Sequence, residues 1–349
     1  MEQVFKVPIR NLFIMLSYSN DMPEMVREFR DVDEDLITYD FLAKMFLQEA
    51  QKRIHHGLVR NYVTHMEETS FISGRMQINE SLSFFAEQKP VAVCEKDAYT
   101  ADILLNQIMK TTLKSLVQNP HIKEGTRREL YLIWEKMLEV NNIPLAKEIF
   151  SRLMFSRHDA HYKRVIHLAK LLYEVQLLSH KRGDWSLFTV PIGDNELNRL
   201  FEKFLLHFYR LEQSNYHVKS ERLEWNLSGN KALLPSMLTD ISLTHRRKHK
   251  KIIIDAKFYK NMFQVNHGKK TFHSGNMYQM FTYLLHQPNE LENLRGILIY
   301  PFNGQETHEV YRWDERMTIE VVTVNLAARW HDIYHELIQV VDEKVDQDF

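Results

Sequence analysis

Apolar residues recur with two different periods along this chain, and the switches between them mark its parts. Val7-Pro8-Ile9-Arg10-Asn11 leads into the apolar run Leu12 to Tyr18, which reads as a buried helix entered at Pro8. Asp31 to Asp35 is an acidic turn. Tyr39 to Gly57 then places Phe41, Leu42, Met45, Phe46 and Ile54 on one helical face, with Gly57 as a stop. From Leu58 the spacing becomes strand-like. Leu58 to Met66 alternates, Phe71 to Ile78 has Gly74 at a turn or bulge, and Pro90 to Glu95 is a third short strand. Helical spacing returns at Tyr99 to Val117 and continues through Arg127 to Val140, Pro144 to Phe150 and His158 to Ser179.

His180 to Asn195 holds Gly183, Pro191 and Gly193, and the domain boundary is expected there. A helix follows at Glu196 to Leu211, with Leu200, Phe201, Phe204, Leu205 and Phe208 inward. Strands are expected at Tyr216 to Leu227, Ser236 to Thr244 and Lys250 to Tyr259. Next come a helix at Ser274 to His286 capped by Ser274, a strand at Gly296 to Tyr300 stopped by Pro301, a strand at Thr318 to Val324 and a helix at Leu326 to Val341. The pattern predicts an α+β, or mixed α/β, protein. Residues 1–180 form a mainly helical domain with a β-rich insertion at about 58–97, and residues 181–349 a second domain whose order over 196–301 is αβββαβ.

Composition adds bounds. The chain has 349 residues, 44% of them hydrophobic and 26% charged, enough for a full core and about two domains. Its net charge of −1 carries no global basic bias, so any nucleic-acid contact has to be local. Cys94 is the single cysteine, which excludes an intramolecular disulfide and suits a reducing, cytoplasmic setting. The first residues lack a signal-peptide arrangement, and no apolar run is long enough to span a bilayer.

The chemistry concentrates at Lys251 to Lys260. Ile252, Ile253 and Ile254 read as a buried strand that turns polar at Asp255-Ala256-Lys257. A carboxylate and an ammonium two residues apart on a strand point to the same side. Fifteen residues upstream Asp240 sits in a second strand-like run, and an antiparallel pairing would bring it close to Asp255 and Lys257. Two carboxylates are hard oxygen ligands for Mg²⁺, which lowers the pKa of a bound water and neutralises a scissile phosphate. A nearby lysine can orient that water or steady the developing oxyanion. Asp240, Asp255 and Lys257 within an αβββαβ order thus resemble the PD-(D/E)xK metal nucleases; a bare hairpin salt bridge is the plain alternative. Gln279 and Tyr283, four residues apart on the following helix, share a face and match the Q-x-x-x-Y motif that RecB-type nucleases carry near the metal. Arg246, Arg247, Lys248, Lys250 and Lys251 form a basic cluster beside the site, followed by Lys260, Lys269 and Lys270; phosphate contact and a solvated hairpin tip are equal readings of it. His331 and His335 have the i, i+4 spacing of a zinc pair but lack a metalloprotease glutamate, and read as helix surface.

Over nearly its whole length the chain resembles the McrC family, the endonuclease subunits of McrBC modification-dependent restriction systems. The resembling runs are Val7-Pro8-Ile9-Arg10-Asn11 with Met15-Leu16 and Tyr18, Gly74-Arg75, Asn106 with Ile108 to Leu113, Leu234-Pro235 with Asp240, Asp255 to Lys260, Phe272-His273-Ser274, Asn276 with Tyr278-Gln279, and Leu298 to Pro301. The resemblance implies Mg²⁺ ligation by Asp240 and Asp255, with the Ala256 carbonyl and Glu202 as further ligands, and a role for Lys257 on the water or the transition state. It also implies an N-terminal half that docks on and stimulates a hexameric AAA+ GTPase, McrB, which recognises the modified cytosine in double-stranded DNA. The chain itself has no G-x-x-x-x-G-K-[ST] phosphate loop, so GTP would belong to the partner. The insertion at 58–97 is the candidate docking element. Two alternatives stand beside this reading: a stand-alone RecB-like nuclease of repair or defence, and a non-catalytic regulator of an AAA+ partner.

Overall fold

A computed structural model describes residues 5–30, 32–179, 187–190, 195–258, 262–266, 269–302 and 304–342. In chain order the elements are β1 (Phe5–Pro8), α1 (Ile9–Ser19), α2 (Pro23–Arg30), α3 (Tyr39–His56), β2 (Asn61–Thr69), β3 (Arg75–Met76), α4 (Ile78–Ala86), β4 (Ala92–Thr100), α5 (Leu104–Val117), α6 (Glu124–Glu135), α7 (Lys147–Ser151) and α8 (Lys163–Ser179). They continue with β5 (Leu187–Val190), α9 (Asn195–Glu212), β6 (Tyr216–Leu223), β7 (Met237–His245), β8 (Lys250–Ala256), β9 (Phe263–Asn266), β10 (Lys269–Phe272), α10 (Ser274–Leu285), β11 (Asn293–Pro301), β12 (His308–Arg312), β13 (Met317–Val324) and α11 (Trp330–Val341). The chain divides into two compact units, one of residues 1–38 with 177–349, the other of residues 39–176.

The first unit is built on a six-stranded mixed sheet in the order β12-β13-β11-β8-β7-β6. β8 and β11 are parallel, as are β11 and β13, while β7 runs antiparallel to its neighbours β6 and β8. Every residue of β8 is buried, as the unbroken isoleucine run requires of a strand covered on both faces. α9 supplies Phe201, Phe204 and Phe208, all fully buried, and packs on β6, β7 and β8. α10 lies against β8, β11 and β13. Gly296 of β11 lets it approach closely: a Cβ there would stand 2.6 Å from Met280 Sδ and 2.9 Å from Leu284 Cδ1.

The expected division at 180/181 puts the first 38 residues on the other side of the boundary from where the structure groups them. Side chains of α1 explain the grouping. Asn11, fully buried, donates to the carbonyls of Leu326 and Ala328 at 2.9 and 2.8 Å, just ahead of α11. Tyr18 packs its ring on Phe204, Phe208 and Trp330, and its hydroxyl meets Glu212 and Arg30. Gly183 and Gly193, which marked the boundary in the sequence, lie outside the described residues.

The second unit packs α3, α5, α6 and α8 around a core that includes Phe46, Ile108, Leu113, Leu130 and Leu171. Lys110 is buried in it and donates to the Met137 carbonyl at 2.7 Å. The insertion forms a three-stranded antiparallel sheet, β2-β4-β3, in which β4 is central. Gly74 has φ +83° and faces the Glu95 carbonyl so closely that no Cβ fits, as expected of a glycine at a turn. Where the sequence suggested strand from Phe71 to Ile78, only Arg75–Met76 pairs, and α4 follows. Hydrogen bonding by Ser81 explains the turn into helix. Its hydroxyl donates to the Gln77 carbonyl at 2.7 Å and accepts from the Val93 N–H at 2.9 Å, tying α4 onto β4.

Candidate active site and family

The antiparallel pairing of β7 and β8 sets Ile241 opposite Ile254, so Asp240 and Asp255 are the next residues at the same end of the pair. The Asp240 carboxylate accepts from the Ala256 N–H at 2.9 Å. Asp255 is 1% exposed, and its Oδ2 has the Lys257 ammonium at 2.8 Å and no partner with hydrogen-bond geometry. The backbone of Lys257 is held extended by its N–H bond to the Ile299 carbonyl of β11, at 2.9 Å. Its ammonium also donates to Gln279 Oε1 at 3.3 Å, and Gln279 Nε2 donates to the Tyr283 hydroxyl at 2.7 Å. Asp240, Asp255, Lys257, Gln279 and Tyr283 therefore form one continuous constellation.

Burial pushes the Asp255 carboxyl up to about 7, reinforced by the like charge of Asp240 and opposed by Lys257. Asp240 is raised in the same direction, again by burial, with the Ala256 N–H, Lys257 and a hydrogen bond to Asp255 pulling it back. One lysine does not neutralise two buried carboxylates, and the constellation favours either a retained proton or a cation. Oxygen donors and a negative excess that the one Lys257 ammonium does not cancel fit a hard divalent ion. Among the described residues no third His, Cys, Asp or Glu completes a ligand group. Mg²⁺ tolerates that, because it binds through one or two carboxylates and keeps several waters.

Glu202 lies on α9, where Asn198 one turn earlier donates to its Oε1 at 3.0 Å. Burial raises its carboxyl and Asp240 adds to the rise, so it senses the site electrostatically without joining a ligand cluster. Asn198 escaped the sequence reading. Its Oδ1 accepts the Phe258 N–H at 3.1 Å, fixing the backbone just after Lys257, and its only sequence signal is the i, i+4 spacing to Glu202. The Ala256 N–H is engaged by Asp240, and Ala256 itself is buried.

The basic cluster is distributed differently from the expectation that it flanks the site. Arg246 and Arg247 lie in the β7–β8 turn, the opposite end of the strands from Asp255. Asp255 is five residue steps along β8 from Lys250, about 17 Å on a strand. Arg246 Nε donates to the Ser214 carbonyl there, at 3.0 Å. Lys251 is buried, donating to Glu221 Oε2 and Gln287 Oε1 at 2.7 Å each, and so is committed to the fold. Against a desolvation that would raise it, Lys251 holds the Glu221 carboxyl below its usual range. Lys269 and Lys270 lie on the β9–β10 hairpin, between β8 and α10 in sequence; Lys270 stands over the Phe263 ring at 4.3 Å and donates to Gln305 at 2.8 Å. Lys260 lies outside the described residues. The His331 and His335 rings meet through Nε2 atoms 3.0 Å apart on exposed helix surface. Ser274 is the first residue of α10 but makes no cap hydrogen bond; His273 is the N-cap.

A separate feature belongs to the second unit. Phe71 is 84% and Ile72 69% exposed beside Ile78, Leu82 and Phe85, which share a helical face of α4 and are also exposed. Five large apolar side chains are thus left exposed on one small insertion.

No helix of the described residues is long and apolar enough to cross a membrane. The chain is 28% identical over 346 residues to the Type IV methyl-directed restriction enzyme EcoKMcrBC of Escherichia coli strain K12, covering 97% of this chain and 98% of that protein. Among solved structures it is similar to a refined half-complex from the tetradecameric assembly of Thermococcus gammatolerans McrB AAA+ hexamers with bound McrC. The TM-score is 0.50 at 15% identity, covering 94% of this chain and 76% of that one, which speaks to the fold alone. The cryo-EM structure of the Thermococcus gammatolerans McrBC complex aligns over 60% of each chain at 22% identity and a TM-score of 0.35, too low to bear on the fold. A family model described as McrBC 5-methylcytosine restriction system component matches residues 4–301, most of the chain, and the chain belongs to that family.

Proposed function

We propose that this chain is the DNA-cutting subunit of a GTP-dependent, modification-dependent restriction complex, with a PD-(D/E)xK nuclease site in its first unit. Family membership supports the restriction role. The observation that carries the chemistry is the convergence of Asp240, Asp255 and Lys257 at one end of β7 and β8. Asp240 and Asp255 would hold Mg²⁺, with the Ala256 carbonyl as a further candidate ligand and Glu202 within electrostatic range. When bound, the ion supplies charge neutralisation at the phosphate and a more acidic water. Asp255 and Gln279 hold the Lys257 ammonium in a fixed place, from which it can donate to an attacking water or to a developing oxyanion. Lys269 and Lys270 on the β9–β10 hairpin, together with Lys260, are the candidate phosphate contacts.

The partner we infer is an McrB-like AAA+ GTPase, of the kind named in the related assembly, with GTP bound by that partner. The exposed apolar surface of the insertion, around Phe71, Ile72 and α4, is the proposed docking element. The substrate is double-stranded DNA carrying modified cytosine. The test is cleavage of methylated DNA by the chain with its GTPase partner, GTP and Mg²⁺. Cutting is expected only when all are present; robust cutting by the isolated chain with Mg²⁺ would favour a stand-alone nuclease instead.

A further inference from the structure

The amide of Gln279 has an accepting end and a donating end, and its surroundings fix which faces where. Lys257 carries donors only, so the oxygen must face it, as it does at 3.3 Å. The amide nitrogen then donates to the Tyr283 hydroxyl at 2.7 Å, and that hydroxyl spends its single proton on the Leu238 carbonyl at 2.8 Å. Leu238 lies on β7, two residues before Asp240. A flipped amide would set its NH₂ against the ammonium and its oxygen against a hydroxyl already donating elsewhere, leaving two contacts repulsive. Tyr283 is 5% exposed and raised in pKa by its burial, so it stays a neutral hydroxyl with little water to replace its partners.

We propose that Tyr283 is a positioning residue: anchored on the Leu238 carbonyl, it sets the Gln279 amide so that its oxygen holds the Lys257 ammonium beside Asp255. The strand that carries Asp240 is thereby tied to Lys257 through α10 as well as through the sheet. The catalytic meaning of this relay rests on the nuclease reading above, but the relay itself is testable without DNA.

The test uses Tyr283→Phe, Gln279→Ala and the double variant in the full chain. Lys257 is labelled with an amine-reactive ester and followed by peptide mass spectrometry. Removing the amide oxygen, or the hydroxyl that fixes it, takes an acceptor from the Lys257 ammonium and lets the side chain leave its seat for the reagent, so each single variant should label several-fold faster than wild type, and the double variant no faster than Gln279→Ala. Lys251, buried with Glu221, should stay protected throughout, reporting an intact fold. Unchanged labelling of Lys257 in Tyr283→Phe overturns the proposal, and so does a double variant whose effect is the product of the singles. In the reconstituted complex Tyr283→Phe should lower turnover at saturating DNA about tenfold, about 1.4 kcal/mol. The half-saturating DNA concentration should move less than twofold. Absence of cutting by the wild-type complex would count against the nuclease reading, while the labelling result would still decide the relay.

Discussion

Replacing Asp255 by Asn should make the first unit more stable, by an amount that grows with pH. In the folded chain the Asp255 carboxyl is pushed up to about 7, against an ordinary value of about 3.9. The folded state therefore holds a proton that the unfolded state releases, and stability falls as pH rises between those two values. Each unit of that interval is worth about 1.36 kcal/mol, so ionisation takes away stability progressively from pH 4 upward, on the order of a few kcal/mol in all once the pH passes 7. Asparagine removes this term. The attraction of Lys257 for the carboxylate appears only as Asp255 ionises and is already contained in the raised value, so the gap to asparagine still widens with pH, and that widening is the signature. Urea unfolding at pH 5 and pH 8, read by hydrogen exchange in peptides covering β7 and β8, measures it. Mg²⁺ should close the gap at pH 8 by stabilising the wild type alone. A gap that stays constant with pH, or an Asn variant that gains as much from Mg²⁺, would refute the buried-charge argument and the ligand assignment together.

Other outcomes follow from packing and exposure. Gly296→Val has no room beneath Met280 and Leu284, so it should destabilise the first unit by about 1–3 kcal/mol and shift α10, lowering cleavage through Gln279; thermal unfolding together with the cleavage assay checks both. Phe71→Asp with Ile72→Asp alters only exposed side chains, so circular dichroism should match wild type while stimulation of partner GTP turnover falls at least tenfold; unchanged stimulation would move the docking site elsewhere.

Much of the Asp240–Asp255–Lys257 constellation was legible because its signals are local. The isoleucine run, the Asp255–Lys257 spacing and the Gln279–Tyr283 spacing are short-range patterns, and strand and helix geometry convert each directly into a shared side. The antiparallel pairing of β7 with β8 followed from two strand-like runs and a polar connection. What the sequence hid is long-range. Asn11 reaches carbonyls more than 300 residues away, so nothing near it in sequence assigns α1 to the sheet-bearing unit. The expectation that residues 1–180 form one half therefore fails for the first 38, and a fragment meant to carry docking alone should span residues 39–176. Lys251 read as part of a basic cluster, for phosphate or for solvent, because its partners, Glu221 and Gln287, lie 30 and 36 residues away. Arg246 and Arg247 were placed by sequence nearness to Asp255, whereas a strand carries five residues about 17 Å. The β9–β10 hairpin and edge strand β12 went unseen for another reason: β12 is exposed along its whole length and gives no buried alternation to find.

The most direct measurement of the central claim compares wild type, Asp255→Ala and Lys257→Ala in the reconstituted complex, following DNA cutting and partner GTP turnover in the same reaction. Both variants should lose cutting of methylated DNA in Mg²⁺, by at least a hundredfold. GTP turnover should remain at the wild-type level, because the proposed docking surface lies in the other unit. Full cutting by either variant would contradict the site assignment, and loss of GTPase stimulation would contradict the division of roles between the two units.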